Sequence, residues 1–159
     1  MLILCCGGTI DKVYFDSKSD FEVGHPQAPD VLQDSNVTLN YTVESLLRKD
    51  SLDLTDEDRL LIHDAVASAT ESKIVITHGT DTMVQTASVL QDLKDKTVVF
   101  TGAMMPARFR NTDALFNLGF AIGVAQVLPS GIYIGMHGRV FDPQNVQKNR
   151  AEGRFEELS

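Results

Sequence analysis

Apolar and polar positions alternate along the chain in two kinds of segment. Short, nearly continuous apolar runs stand at residues 2–6, 73–77, 97–101 and 131–136. Each predicts a buried strand. Between them lie longer segments with apolar residues at helical spacing. One opens at Leu54 and runs to about Ala69, with Thr55 as N-cap and Asp58 three residues on. The others span Thr82 to about Leu93 and Thr112 to Val127. Residues 29–34 predict a single helical turn, and Val37-Thr38-Leu39 alternates like a strand. Val13-Tyr14-Phe15 and Phe21-Glu22-Val23 flank the polar stretch 16–20. They predict a small hairpin or flap ending at Gly24-His25-Pro26.

Strands that are apolar throughout, alternating with helices, imply a parallel sheet covered on both faces. The expected fold class is α/β: a three-layer, open, mostly parallel sheet of the Rossmann or flavodoxin-like kind. No repeat, low-complexity tract or linker divides the chain, so residues 1–159 are read as one domain.

In such sheets ligands bind beyond the carboxyl ends of the strands. Gly7-Gly8-Thr9, His78-Gly79-Thr80-Asp81 and Thr101-Gly102-Ala103-Met104 each follow a predicted strand. If those strands are parallel neighbours, the three loops share one crevice, where glycine lets backbone approach a ligand. Thr9 reads either as a turn hydroxyl or as a nucleophile; the second reading requires a neighbour that takes its proton. Thr80 and Asp81 read as N-cap residues or as site residues, and the two roles can coexist. Lys148 reads as a solvated lysine or as the partner of a buried carboxylate that helps to deprotonate Thr80.

Composition narrows the classes. The net charge is -8, which argues against nucleic acid or an anionic membrane as partner. The 2 cysteines, Cys5 and Cys6, are adjacent and would point to opposite faces of a strand. They read as reduced, packed thiols, which suits the cytoplasm. The Met-Leu-Ile-Leu start lacks the basic residues of a signal peptide. His25, His63, His78 and His137 have no metal-pair spacing with Cys, Asp or Glu, so no metal site is expected. His63 and His78 read as structural. No Gly-rich phosphate fingerprint is present.

Six stretches carry a resemblance: "GGTID" at 7–11, "KDSLDLTDED" at 49–58, "IVITHGTDTM" at 74–83, "VVFTGAMMP" at 98–106, "DALFNLGFA" at 113–121 and "NVQKN" at 145–149. In order and content they resemble the bacterial-type L-asparaginase family. The resemblance implies the N-terminal domain fold of that family and an amidohydrolase that converts L-asparagine to L-aspartate and ammonia without metal or cofactor. It implies a nucleophilic Thr9, a second catalytic set of Thr80, Asp81 and Lys148, and Ser51 holding the substrate carboxylate. Asp81 would hold the ammonium, and Ala103, by its carbonyl, the side-chain amide. Gly79 joins the substrate-binding group.

The family also uses a flap tyrosine as the base for its threonine. Here Tyr14 competes with Phe21, which sits nearer the usual spacing but has no hydroxyl; Tyr14 is the choice. The resemblance implies a homo-oligomer. Family members are about twice as long, and this chain stops about where their first domain would end, which suggests a short form. Leu52 replaces a polar residue that usually follows the binding serine, so weak substrate affinity is expected. Cys6 and Met105 replace a common threonine and arginine. The alternatives are hydrolysis of L-glutamine or another small amide, an amidotransferase subunit, and amino-acid binding without turnover.

Overall fold

Cys5 and Cys6 are buried, free, and enclosed in different cores. That division follows from the sheet that carries them. In chain order this computed structural model, which describes residues 1–158, runs β1 (Leu2–Gly7), a hairpin of β2 (Lys12–Phe15) and β3 (Asp20–Val23), α1 (Ala28–Asp34) and β4 (Thr42–Lys49). Then come α2 (Asp56–Ser68), β5 (Lys73–Thr77), α3 (Met83–Val89), β6 (Thr97–Thr101), α4 (Ala114–Val127) and β7 (Gly131–Met136). The chain continues with β8 (Arg139–Phe141) and a second hairpin, β9 (Val146–Asn149) and β10 (Arg154–Glu157).

Six strands form the main sheet in the order β4-β1-β5-β6-β7-β8. All neighbours are parallel except β7 and β8. Alternate residues of the central strands feed opposite faces, as strand geometry requires. Leu4, Cys6, Ile76 and Phe100 pack with Ile62 and Val66 of α2 and Met83 and Ala87 of α3. Ile3, Cys5, Val75 and Val99 pack with Val31 and Leu32 of α1 and Leu118, Ala121 and Ile122 of α4. Both faces are covered by helices, which is why these strands read as unbroken apolar runs. The three-layer α/β expectation holds.

Some elements differ from the sequence reading. Residues 37–39 are not a strand; Val37 and Leu39 instead tuck as loop residues against the α1/α4 core. One edge strand is β4, whose Glu44, Ser45 and Arg48 face solvent and hide its period. Helix α3 ends at Val89, short of the expected Leu93. The strands β8, β9 and β10 are short and rich in charge, and their apolar anchors are the buried Phe141, Val146 and Phe155. The expected hairpin at 12–23 and the capping box of Thr55 with Asp58 are both present.

Candidate active site

Four chain segments meet beyond the carboxyl ends of β4, β1, β5 and β6, and they meet glycine against backbone. Gly7 and Gly8 adopt φ of 86° and 90°, a region that favours glycine. A Cβ on Gly8 would collide with the backbone nitrogen of Gly79, so the Thr9 and Thr80 loops touch directly. A Cβ on Gly79 would lie 2.6 Å from the Ser51 hydroxyl, and one on Gly102 would strike the His78 carbonyl. Small residues thus bring the loops that carry Thr9, Ser51, Thr80 and Ala103 into direct contact.

Thr80 is buried and Asp81 is partly buried in the turn between β5 and α3. Neither caps α3: its N-cap is Thr82, which makes no side-chain cap bond. The Thr82 hydroxyl instead donates to the Ser51 carbonyl at 2.7 Å. Thr80 and Asp81 are therefore free for other work, and Lys148 takes them up. From β9 its ammonium donates to the Thr80 hydroxyl at 2.8 Å and to the Asp81 carboxylate at 3.0 Å. The surface Arg150 guanidinium lies 3.3 Å from the same carboxylate oxygen. The Ser51 hydroxyl is buried and has no hydrogen-bond partner among the described residues. Such an orphan costs free energy that a polar ligand would relieve.

The supporting groups are buried too. His78 is fully enclosed, and burial pushes its imidazole down to about 4, so it is neutral. Its Nδ1 then donates to the Gly79 carbonyl at 2.7 Å, which braces the turn before Thr80. Asp11, just after Thr9, is pushed up to about 6 by burial. Its carboxylate accepts from the Gln27 amide at 2.8 Å.

The Gly102-Ala103-Met104 loop hangs from α4. The Asp113 carboxylate accepts from the amides of Met104 (3.0 Å) and Met105 (3.1 Å) and from Asn117 Nδ2 (2.8 Å), and it faces His137 Nε2 at 2.9 Å. Burial alone would raise this carboxyl, but the Met104 amide and His137 among others draw it below its ordinary range. Asn117 also donates to the Gly102 carbonyl at 3.0 Å. Sequence reasoning missed Asp113, Asn117 and His137 as site supports. The signal was two polar residues, four apart, at the start of an otherwise apolar helix.

Tyr14 stands apart. It is 53% exposed on β2, and its hydroxyl makes no hydrogen bond to Thr9 among the described residues. It is, however, the direct cross-strand partner of Phe21, with ring centroids 5.3 Å apart. Opposed residues of a hairpin share a face, so Tyr14 carries its hydroxyl on the same side as Phe21, from the other arm. The described residues contain no group of three His, Cys, Asp or Glu able to hold a metal ion, and no helix long and apolar enough to cross a membrane.

Comparison with known proteins agrees with this layout. The family described as "Asparaginase, N-terminal" is matched over residues 1–156. An L-asparaginase of Thermococcus kodakarensis is 32% identical, over 96% of this chain and 48% of its own length. A glutaminase-asparaginase of Acinetobacter glutaminasificans is 28% identical, over 93% of this chain and 49% of its own length. The solved structure of the thermostable L-asparaginase from Thermococcus kodakarensis superposes with a TM-score of 0.86 at 30% identity, over 99% of this chain and 50% of that one. The chain thus spans about half the length of the curated relatives it matches. With its strand-end loops, their glycine contacts and the family match in agreement, the chain belongs to the asparaginase family, within the N-terminal domain of that family.

Proposed function

We propose that this protein is an amidohydrolase that converts L-asparagine to L-aspartate and ammonia, with residues 1–159 acting as one catalytic domain. The observation that carries the reading is the Lys148–Thr80–Asp81 cluster, which joins two distant chain segments at the crevice that also holds Thr9. Binding alone has no need of a lysine hydrogen-bonded to a buried threonine hydroxyl.

In this reading Thr9 is the nucleophile. Its oxygen attacks the side-chain amide carbon as Tyr14, swung in by the hairpin, takes the hydroxyl proton and returns one to the departing nitrogen. Ammonia leaves, and a water molecule cleaves the resulting ester to free aspartate and Thr9. Thr80, polarised by Lys148 and Asp81, guides the proton of that water. The Ser51 hydroxyl takes the substrate α-carboxylate, Asp81 the α-ammonium, and the Ala103 carbonyl the amide nitrogen. Gly79 gives its backbone to the same wall. No metal or cofactor enters. A homo-oligomer in the cytoplasm belongs to the same reading. Two free buried thiols support the compartment, and light scattering that gives a monomer would overturn the oligomer.

L-Glutamine is the second reading for the substrate, favoured by the glutaminase-asparaginase relative. The test is ammonia release from L-asparagine and L-glutamine by the wild type, Thr9→Ala and Thr80→Ala. Turnover of asparagine lost in both variants supports the proposal. An acyl-enzyme trapped on Thr80 in the Thr9→Ala protein would reverse the two threonines. No turnover of either amide would leave an amino-acid binder.

A further inference from the structure

The β2–β3 hairpin touches the body at its base and on both flanks, and the three contacts differ in kind. At the base Asp11 holds the departing and returning strands together. Its carbonyl accepts from Gly24 and its carboxylate from Gln27, each at 2.8 Å. On one flank Lys12 pairs with Asp50 at 2.7 Å. On the other flank the contact is aromatic. Phe21 lies 5.7 Å from Phe109, ring centre to ring centre, and Tyr14 lies 5.3 Å from Phe21. Tyr14, Phe21 and Phe109 therefore form a series of three rings leading from the hairpin to the body.

Phe109 is on the fixed side of that series. Its loop is tied to the scaffold at successive residues: Ala107 donates to the Ile10 carbonyl at 3.1 Å, and Arg108 Nε to Gln27 Oε1 at 2.8 Å. The hairpin is the side that can move. It is two short strands and a polar, exposed turn, and such a unit is marginal without outside packing. Phe109 is the ring of the body that packs on Phe21, the cross-strand partner of Tyr14. Neither strand of the hairpin pairs with the main sheet.

We propose that Phe109 is a positioning residue: by packing on Phe21 it sets where the hairpin stands, and with it the path by which the Tyr14 hydroxyl reaches Thr9. The inference rests on the reading of Tyr14 as the base that serves Thr9. Phe109 touches no reacting atom. It acts through Phe21, and its removal frees the hairpin without disturbing Thr9, Thr80 or Lys148.

The test compares wild type, Phe109→Ala, Phe109→Leu and Tyr14→Phe as full chains. Amide hydrogen exchange in residues 12–15 and 20–23 reads the hairpin directly. Phe109→Ala is expected to speed it about 2- to 10-fold, the loss of one aromatic pair, while β1, β5 and β6 stay protected. Phe109→Leu restores most of the protection. With asparagine, kcat falls by a similar factor in Phe109→Ala, and the fall disappears when Tyr14 is already Phe. Unchanged hairpin exchange in Phe109→Ala overturns the proposal. So does a fall in kcat that persists at full size in the Tyr14→Phe background. Full turnover by Tyr14→Phe alone marks a different failure: it removes the base role of Tyr14, and the exchange data still decide whether Phe109 holds the hairpin.

Discussion

Lys148 donates to the Thr80 hydroxyl at 2.8 Å, and the two residues are 68 positions apart in the chain. Its second bond, to Asp81, fixes the ammonium between hydroxyl and carboxylate. Lys148→Met keeps the apolar stem and removes the amine. Ammonia release from asparagine should fall by about 100-fold or more, the range of a lost proton-transfer group. Lys148→Arg should not restore it, because a planar guanidinium does not fit the compact ammonium's place between hydroxyl and carboxylate. Circular dichroism of both variants should match wild type.

Glycine has opposite value at two places. At Gly8 the backbone has φ of 90° and a Cβ would collide with Gly79. Gly8→Ala should destabilise the fold by about 2–4 kcal/mol, through backbone strain and overpacking together. On α4, Gly119 has open space where its Cβ would be. Gly119→Ala should stabilise by about 0.5–1 kcal/mol, through helix propensity and chain entropy. Urea unfolding of the pair measures both signs.

Two buried groups oppose each other in acid. Asp11 is pushed up to about 6 from 3.8, so the fold favours its protonated form, and its contribution rises as pH falls from 6 toward 4. His78 is pushed down to about 4 from 6.5. The unfolded imidazole takes its proton first, so this group's contribution falls across nearly the same window. Asp11→Asn removes the first effect and leaves the second. At pH 7 the variant should be more stable by about 1–3 kcal/mol, because a buried charge is gone. Between pH 6.5 and 4 it should lose stability more steeply than wild type. Denaturation midpoints at pH 7, 6 and 5 test both statements.

Leu52 is 61% exposed on the wall of an open cavity of about 540 Å³ shared with Phe21, Val23 and Asp50. The Asp50 carboxylate accepts from the Leu52 amide at 3.2 Å, so the backbone is set and only the side chain is apolar. Leu52→Gln supplies a polar tip beside Ser51 and should lower KM for asparagine by about tenfold or more, as expected for a hydrogen bond to a charged group. A submicromolar KM in the wild type would contradict the weak affinity on which this rests.

The sequence made the central strands legible and the edges obscure, for one physical reason. β1, β5, β6 and β7 are covered on both faces, or nearly so, and their apolar runs are unbroken. β4 is an edge strand, where Glu44, Ser45 and Arg48 meet solvent and erase the pattern. Thr9, Thr80 and Asp81 were legible as loop residues at strand ends. Local pattern left Lys148 open between a solvated lysine and a partner of Thr80, and only the family resemblance joined it to residues 67 and 68 positions away. The choice of Tyr14 over Phe21 turned on the hydroxyl, and only the paired hairpin reveals that the two face the same way. The Asp113–Asn117–His137 support was hidden for the same reason, since α4 and the turn after β7 both contribute to it.

Lys148 also has a place in time. The strands β1, β4, β5, β6 and β7, and the loops that carry Thr9 and Thr80, all precede it from the N-terminus. A nascent or refolding chain can assemble the sheet and its crevice while the amine is still undelivered, because contacts far apart in sequence close slowly. On the proposed mechanism, hydrolysis would begin only when β9 docks. In a refolding experiment, recovery of secondary structure should run ahead of recovery of turnover, and an incompletely folded chain is chemically silent.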